Sequence, residues 1–426
     1  MEGSFVLSPG QAAAVEMVRT FLKDEVAILA RITGFAGTGK TTCIKVLAEE
    51  FGTPIVLAPT GKASLRVTEA TGLEASTIHR FLYKASTDTK TGNPVFELRP
   101  IFEFEDARGT LVVVDEASMM DATVFNDLIG AAGASGFKII LMGDTFQLPP
   151  VAKDEDGTTF QALEVPTPYS AHLSEIIRQA LDSPIIRASM LLRTSNFEHE
   201  AMALLNAVGR DRLADTLLAG VYSNGVCLTH TNKRRSSLNV LAREALGYDE
   251  GTVNPGEPLL VISNNYVLDR FNGEVVKFEK WTHEPDSKYD MAACDRFTNS
   301  QMNMGFGRCN IEATETPCMI SPEEISGKSF DAKIGNIAIK RASKDSWCTR
   351  YHEEHGHNNK DAPEHLHAHM GYCLTVHKSQ GSEWDSALIV LEDSLSVLRG
   401  TEKRRWLYTA ITRAKKSVSY CYIPKE

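Results

Sequence analysis

Long apolar runs, a secretory-leader pattern at residues 1–5 and C-x-x-C pairs are all missing from this sequence of 426 residues. No apolar run approaches the length of a transmembrane helix, and residues 1–5 lack the basic start and apolar core of a secretory leader. The eight cysteines include no C-x-x-C pair, which argues against a zinc ribbon and against a disulfide scaffold. We therefore expect a protein of the reducing cytoplasm that has no membrane partner.

A basic excess is missing as well. The 45 lysines and arginines face 55 aspartates and glutamates, so the net charge is −10. This balance argues against a protein that coats nucleic acid by bulk charge alone, although it leaves room for a local basic track. With 42% hydrophobic and 23% charged residues, the composition is that of a folded globular protein.

Short apolar runs alternate with helical patterns along the chain, which predicts an α/β fold with parallel strands. A run that is nearly all apolar suits a strand buried on both faces of a sheet. The runs fall into two groups, so we expect two α/β units. The candidate strands are residues 26–32, 55–58, 111–114 and 139–142 in the first unit, and residues 226–230, 387–391 and 418–422 in the second.

Two stretches interrupt this rhythm. Residues 84–107 are polar and contain a Thr-Gly-Asn-Pro turn signal, which predicts an inserted β-hairpin. Residues 255–369 contain short strand-like runs and a His-rich end, which predicts an inserted β-rich domain. The histidine spacing fits no standard zinc finger, so a solvated loop and a metal site both stay open. The expected domains are residues 1–170, then 171–254 together with 370–426, and the insertion 255–369.

Residues 34–41 read GFAGTGKT and fit the phosphate-binding pattern G-x-x-x-x-G-K-S/T, between an apolar run and a helical pattern. Glycines let backbone N–H groups turn toward phosphate oxygens, and the following helix N-terminus favours negative charge. We expect Lys40 to pair with the β- and γ-phosphates and Thr41 to hold Mg²⁺. The alternative is a glycine-rich turn without a ligand. The nucleotide-binding residues expected here are Gly34, Gly37, Thr38, Gly39, Lys40, Thr41 and Thr42.

Residues 111–116 read LVVVDE, an apolar run that ends in two carboxylates. The carboxyl ends of parallel strands share one sheet edge, so these side chains are expected beside the phosphate loop. We expect Asp115 to bind in the Mg²⁺ shell and Glu116 to orient and deprotonate the attacking water. A lone phosphate loop also serves kinases, but an adjacent Asp-Glu favours hydrolysis, because a kinase must exclude water.

Further segments resemble motifs of superfamily 1 helicases, in the order of that family. The combination resembles the RecD/Dda/Pif1-like branch, whose members move 5′→3′, and most closely its phage Dda-type members. One departure is at residues 148–150, Leu-Pro-Pro, which read more like the RecD type. The segments that carry the resemblance are residues 7–11, 57–64, 76–79, 143–151, 173–179, 375–383 and 408–414.

The resemblance implies two RecA-like P-loop domains that clamp ATP between them. It also implies an inserted hairpin that acts as a pin and an inserted SH3-like β-rich domain, whose start matches at Phe-Asn-Gly-Glu, residues 271–274. Gln11 would read the adenine, and Gln147 would sense the γ-phosphate. Two arginines would reach the γ-phosphate from the second domain. The residues implied at the nucleotide are Gln11, Gln147, Arg178, Gly381, Glu383 and Arg413.

The same resemblance implies a track for a single DNA strand. His79 and His377 could equally be interior histidines, because a lone histidine more often has that role. Phe96 follows the turn of the predicted hairpin and is either a wedge that stacks on the duplex end or a residue that packs the hairpin on its own domain. The residues implied at DNA are Pro59, Thr60, Lys62, His79, Phe96, Thr229, Asn232, Thr375, His377 and Lys378.

The activity implied is that of an ATP-dependent, 5′→3′ DNA helicase that uses ATP and Mg²⁺. The partners implied are single-stranded DNA and duplex junctions, with a single-strand-binding protein as a candidate, and the chain is expected to be a monomer. A translocase that strips proteins with little unwinding is the alternative, and DNA and RNA are not distinguished. A phosphotransferase leaves the later motifs unexplained. An inactive nucleic-acid binder does not explain the intact candidate site residues Lys40, Asp115, Glu116 and Arg413.

Overall fold

The computed structural model describes the two α/β regions nearly throughout and the inserted region in part. Arg178 and most of the His-rich segment lie outside the described residues, so the expectations about them have no structural counterpart. The described residues are 7–87, 94–150, 159–176, 182–194, 198–248, 254–261, 272–281, 307–311, 314–320, 333–334, 337–338 and 366–424.

The first sheet has the order β3-β2-β6-β7-β1-β8, and its described strands all run parallel. Strands β4 and β5 pair antiparallel as a separate two-stranded ribbon. The strands are β1 (Leu29–Gly34), β2 (Ile55–Ala58), β3 (Ala75–Thr77), β4 (Tyr83–Thr87), β5 (Pro94–Leu98), β6 (Leu111–Val114), β7 (Lys138–Gly143) and β8 (Ser170–Leu173).

Helices connect the strands of this sheet and cover both of its faces. Each face has its own apolar core, one around Val112 and Phe137 and the other around Ile32 and Val113. Successive residues of β6 enter different cores, as expected for a strand buried on both sides. The helices are α1 (Pro9–Lys23), α2 (Lys40–Phe51), α3 (Gly61–Thr71), α4 (Ile78–Leu82) and α5 (Ala122–Ser135).

The second sheet has the order β18-β10-β19-β20-β9 and is again parallel. Its strands are β9 (Asn206–Ala207), β10 (Gly225–Thr229), β18 (Cys373–Thr375), β19 (Trp384–Glu392) and β20 (Ala414–Ile423). The helices that accompany it are α6 (Pro184–Thr194), α7 (Glu198–Ala203), α8 (Leu213–Tyr222), α9 (Asn232–Ala245) and α10 (Thr401–Ile411).

A closed barrel of five strands is inserted between β10 and β18. Its side chains Leu259, Phe278 and Met370 join the apolar core on one face of the second sheet, so barrel and sheet are packed together. Strands β15 and β16 pair with each other as a separate two-stranded sheet. The strands are β11 (Pro258–Val261), β12 (Val275–Trp281), β13 (Gly307–Ile311), β14 (Thr314–Ile320), β15 (Lys333–Ile334), β16 (Ile337–Ala338) and β17 (Leu366–Met370).

The observed boundaries depart from the expected ones most clearly in three places. Strand β1 begins at Leu29 rather than at residue 26, because Val26 is 88% exposed and its N–H bonds to the side chain of Asp24 in a turn. Strand β8 pairs with β1, so the first sheet continues past residue 170 to Leu173. The second half of the expected hairpin, Ile101–Ala107, is a 3-10 helix.

Candidate functional site

The phosphate loop connects the end of β1 to the start of α2. Gly37 and Gly39 have φ values of 80° and 79°, a left-handed backbone that favours glycine. The Nζ of Lys40 donates to the carbonyl oxygens of Gly34 (2.8 Å) and Phe35 (3.1 Å). The lysine therefore lies across the mouth of the loop, where a phosphate group would lie.

The neighbours of the loop were expected at the nucleotide and lie beside it. The hydroxyl of Thr38 donates to the carbonyl of Phe35 at 2.8 Å. Thr41 and Thr42 occupy the first turn of α2. Gln11 is 6% exposed, completes a capping box with Ser8, and donates from Nε2 to the carbonyl of Gly39 at 3.3 Å. The amide of Gln11 therefore links α1 to the loop.

Asp115 and Glu116 follow β6 at the same edge and are 1% and 2% exposed. Among the described residues, neither carboxylate oxygen of Asp115 accepts a hydrogen bond, and Oε2 of Glu116 does not either. Burial and the charge of Glu116 raise the pKa of Asp115. Buried carboxylate oxygens that accept no hydrogen bond, beside a phosphate loop, are the hard donors that Mg²⁺ prefers, so the residues present fit that ion.

The backbone of Glu116 is unusual, with φ at 51°. A non-glycine residue in the left-handed region is uncommon, and such strain clusters at functional sites. Burial alone would raise the pKa of Glu116, but the charge of Arg66 holds that pKa below its ordinary value. The carboxylate is therefore held charged, as a general base requires.

Side chains of α10 cross from the second sheet to the first. The Tyr408 hydroxyl donates to Oδ2 of Asp144 at 2.5 Å and accepts from the N–H of Ala36, in the phosphate loop, at 3.0 Å. The Thr409 hydroxyl accepts from the N–H of Leu148 at 3.0 Å. Burial raises the pKa of Asp144, which is fully buried. These bonds join the two sides of a cleft between the sheets, next to the phosphate loop.

Gln147 and Arg413 both lie in this cleft. Gln147 is 5% exposed, and its Oε1 accepts no hydrogen bond from the described residues. Arg413 is 2% exposed and is held by the carbonyls of Thr409 (3.0 Å) and Ser382 (3.2 Å). Burial lowers the pKa of Arg413, while the charge of Glu116 across the cleft opposes that change.

Helix α3 makes a second contact between the two sides of the cleft. Nζ of Lys62 lies 4.3 Å from the centre of the Trp384 ring, and burial lowers the pKa of Lys62 to about 8, opposed by the charge of Glu274. A Cβ added to Gly381, whose φ is 72°, would come within 3.1 Å of the Thr60 hydroxyl. The segment 381–384 therefore packs directly on the first turn of α3.

Arg66, one turn further along α3, contacts three carboxylates. Its Nη2 lies 2.8 Å from Oε1 of Glu116 and 3.5 Å from Oδ2 of Asp115, and its Nη1 lies 3.1 Å from Oε1 of Glu383. Glu383 was expected at the nucleotide and lies at the cleft edge, bound to this arginine.

The residues expected at DNA lie at strand ends on the same side of the two sheets. Pro59 follows β2, Thr60 caps α3 by accepting from the N–H of Ala63, and Asn232 is exposed at the start of α9. Thr375 ends β18 and pairs in register with Thr229.

Four further DNA candidates lie within the described residues. Lys378 donates to Oδ1 of Asn272 at 2.8 Å. The half-buried His79 ring lies 5.4 Å from the Tyr83 ring, and burial lowers the pKa of His79 and of His377. Phe96 lies in β5, where its backbone pairs with Ala85.

Thr229 departs from its expected role. It is fully buried, and its hydroxyl lies 3.4 Å from Oε1 of Glu392. A direct contact between this side chain and a strand is therefore not supported in this arrangement. The exposed position nearest to it along the chain is Asn232.

Several cleft residues were missed by sequence reasoning. Tyr408 lies in the segment 408–414 but was assigned no role there. Arg66 lies just beyond the segment 57–64. Arg193 was not singled out, yet its guanidinium lies 3.6 Å from the centre of the Phe35 ring in the phosphate loop. Each of them acts through a contact distant in sequence, and helical spacing alone does not reveal such a contact.

Two family models match the chain. Residues 6–216 match a model described as an AAA domain, and residues 370–419 match a model described as a UvrD-like helicase C-terminal domain. The chain is 27% identical over 408 residues to the ATP-dependent RecD2 DNA helicase of Deinococcus radiodurans. It is 29% identical over 289 residues to the ATP-dependent DNA helicase dda of Enterobacteria phage T4. The chain is homologous to superfamily 1 helicases of the RecD, Dda and Pif1 group.

The match to the RecD/Dda/Pif1 group covers these relatives unequally. The aligned region is 90% of this chain and 45% of RecD2, and 63% of this chain and 64% of dda. The chain therefore spans about half the length of RecD2 and about two thirds of dda.

Solved Pif1 structures share the fold. One of Bacteroides Pif1 with ADP-AlF3 and single-stranded DNA matches with a TM-score of 0.52 at 17% identity, over 98% of this chain and 92% of that one. Another, on DNA unwinding at forks by two coordinating Pif1 helicases, matches with a TM-score of 0.53. The architecture is thus the RecA-like helicase fold. Within the described residues no helix has the length and apolar character to span a membrane.

Proposed function

We propose that this chain is an ATP-driven DNA helicase that moves 5′→3′ along one strand and unwinds duplex DNA. One observation carries the proposal. The phosphate loop and the buried Asp115 and Glu116 face Arg413 across a cleft, and the same cleft is bordered by α3 and residues 381–384, next to the expected strand contacts. A cleft shared by nucleotide and strand is what a nucleic-acid motor needs.

At the nucleotide, Lys40 would exchange its loop carbonyls for β- and γ-phosphate oxygens. Thr41 and Asp115 would hold Mg²⁺, which when bound neutralises charge on those phosphates. Glu116 would orient the attacking water and accept its proton. Arg413 would stabilise the charge that develops on the phosphate oxygens, because a guanidinium is planar and stays charged.

Closure of the cleft would couple this chemistry to movement. Gln147 would sense the γ-phosphate beside Asp144, and the bonds from Tyr408 and Thr409 would transmit its loss to α10. Hydrolysis removes the ligand that favours the closed state, so the two sheets separate and the strand contacts shift. Arg178 is proposed as a second arginine at the γ-phosphate on its motif alone.

The inserted elements are proposed as the duplex-handling parts. Within residues 84–107, the ribbon of β4 and β5 is the candidate pin, and the five-stranded barrel within 255–369 is the candidate SH3-like domain. Single-stranded DNA and duplex junctions would be the substrates. A monomer is proposed as the active unit, with a single-strand-binding protein as a candidate partner.

The test is ATP turnover with and without single-stranded DNA, followed by unwinding of duplexes with a 5′ or a 3′ tail. We expect DNA to stimulate turnover and only the 5′-tailed duplex to be opened. Lys40→Ala should abolish hydrolysis without unfolding the protein. Glu116→Gln should still bind ATP and DNA but hydrolyse ATP very slowly, because the amide accepts no proton.

Near-normal turnover by Glu116→Gln would contradict its role as the base. DNA-stimulated turnover without opening of either tailed duplex would favour the translocase that strips proteins. Opening of the 3′-tailed duplex alone would reverse the proposed direction.

A further inference from the structure

Arg66 joins the two sides of the cleft through one guanidinium. Its two terminal nitrogens have different partners, Oε1 of Glu116 at 2.8 Å on the first sheet and Oε1 of Glu383 at 3.1 Å on the second. The planar fork of arginine makes two such bonds at once, whereas a lysine ammonium on its flexible stem does not hold this geometry. With 21% of its side chain exposed, Arg66 is fixed between the two units.

The bond to Glu116 leaves that carboxylate half engaged. Arg66 takes Oε1, while Oε2 accepts no hydrogen bond within the described part of the chain. Because the carboxylate is planar, fixing one oxygen fixes the direction of the other. Arg66 thus orients the oxygen that would receive the proton of the attacking water, and it does so without contacting the reacting atoms.

The other end of the bridge depends on the second unit. Glu383 uses Oε1 for Arg66, and its Oε2 lies 3.7 Å from Nζ of Lys415, near Arg413 in the chain. One turn earlier on the same face of α3, Lys62 packs on Trp384, the residue after Glu383. The bridge is complete only when α3 and residues 381–384 lie against each other.

Both flanks of this contact adjoin expected strand contacts. Residues 59–62 lead into α3 from one side, and residues 375–378 lead into the 381–384 segment from the other. A strand that spans both sides would press α3 onto that segment. We propose that Arg66 is a positioning residue that orients Glu116 when the strand-binding surface is occupied, and so sets how strongly DNA stimulates ATP hydrolysis.

This inference rests on the proposed helicase function and is tested with steady-state ATPase of the full chain, with and without oligothymidylate. Arg66→Lys keeps the charge and loses the fork. We expect it to lower the DNA-stimulated kcat about tenfold, within the roughly 5–150-fold range of coupling between sites. The DNA-free kcat should fall less, and KM for ATP should change less than about threefold.

Glu383→Gln tests the bridge from its more exposed end, where folding is less at risk. It should lower the ratio of stimulated to unstimulated kcat in the same direction. If both residues act through one bridge, the double variant should resemble the more impaired single variant. Arg19→Lys is the matched control, because Arg19 pairs with Glu50 on the surface of the first unit at 3.0 Å; it should behave as wild type.

Two results would overturn this inference alone, given that DNA stimulates the wild-type protein. One is a double variant whose loss equals the product of the two single losses. The other is an Arg66→Lys variant that keeps the wild-type ratio of stimulated to unstimulated kcat. A wild-type protein without DNA stimulation, or activity retained by Lys40→Ala, would overturn the proposed function and this inference with it.

Discussion

At the scale of single residues, two arginines place positive charge near the buried carboxylate of Glu116. Arg413 and Arg66 lie in the same cleft, on different units, and the charge of each lowers the pKa of the same carboxylate, Glu116. Arg413 donates to carbonyls of its own unit, so its guanidinium is expected to move together with that unit. Two fixed guanidinium groups around one buried carboxylate make the cleft sensitive to geometry rather than to charge alone.

Arg413→Ala should lose most ATP turnover with little change in ATP affinity, because this side chain would act on charge that develops only in the transition state. Arginines in this role contribute roughly 10³–10⁵-fold in related phosphoryl transfer. Arg413→Lys should not restore the rate, since a point charge cannot make the two-pronged contact. Single-turnover hydrolysis and binding of a fluorescent nucleotide measure the two quantities; full recovery with lysine would show that charge alone suffices.

Sequence patterns predicted the positions of those candidate site residues whose contacts are local. Lys40 and Asp115 follow from a loop and a strand end that have their own sequence signatures, and the structure brings both to one sheet edge. Tyr408 and Arg193 could not be predicted in the same way, because their partners, Asp144 and Phe35, are on another unit and distant in sequence. The burial of Thr229 has the same origin, since Glu392 covers it from a neighbouring strand.

At the scale of elements, the ribbon of β4 and β5 stands apart from both sheets. Its first strand continues from α4, which carries His79, so the ribbon is joined to an expected strand contact. At its base, Leu98, Ile101 and Phe102 are 48%, 58% and 67% exposed. The ribbon and the 3-10 helix that follows it therefore each hold one aromatic candidate for contact with a duplex end, Phe96 in β5 and Phe102 in the helix.

Phe96→Ala should impair unwinding while single-strand binding and DNA-stimulated ATPase stay close to wild type, because the ribbon is separate from the cleft. Stacking of one aromatic ring on a base is worth about 1–3 kcal/mol, comparable with the mean of about 1.4 kcal/mol for a base-pair step. Unwinding of 5′-tailed duplexes of rising G·C content measures the effect, which should grow with G·C content.

Phe102→Ala is the matched comparison, an exposed aromatic outside the two strands. If Phe102→Ala loses unwinding and Phe96→Ala does not, the wedge is Phe102. If Phe96→Ala loses ATPase and unwinding together, with a lowered melting temperature, Phe96 packs the ribbon instead.

Elements with strong local patterns were predicted closely, and elements that depend on distant partners were not. Strands Ile55–Ala58 and Leu111–Val114 were predicted to the residue, because prolines bound the first apolar run and polar residues bound the second. The two-residue strand Asn206–Ala207 has no such run and exists only by pairing with β20. The residues alone predicted only a β-rich insertion with short strands, since closure of the barrel joins β11 to β17 across the insertion. An SH3-like fold was implied by the resemblance alone.

At the scale of the whole molecule, a buried polar network ties the barrel to the second sheet. Glu257 is fully buried just before β11, and both of its oxygens accept from Nη1 of Arg243 on α9 at 3.0 Å. The same carboxylate accepts from the Tyr372 hydroxyl at 3.0 Å and from the N–H of Asn254 at 2.6 Å. A carboxylate with this many donors fixes the barrel in one orientation on the sheet.

Glu257→Gln should destabilise the protein by about 3 kcal/mol, near the lower end of the roughly 3–5 kcal/mol for breaking a buried ion pair. The lower end applies because burial already raises the pKa of Glu257, so the pair only partly offsets desolvation. Tyr372→Phe removes one hydrogen bond and should cost about 1 kcal/mol. Urea denaturation followed by tryptophan fluorescence measures both; a loss below about 1 kcal/mol for Glu257→Gln would show that the network is dispensable.

The position of Lys40 has a consequence for nucleotide binding. Its ammonium group already satisfies two loop carbonyls, so capture of a nucleotide is a replacement reaction rather than the filling of an open cradle. Two neutral oxygens are poor competitors against the negative oxygens of a triphosphate, but good ones against an uncharged nucleoside. We therefore expect the loop to bind nucleoside triphosphates in preference to uncharged nucleosides, which share only the base and the sugar.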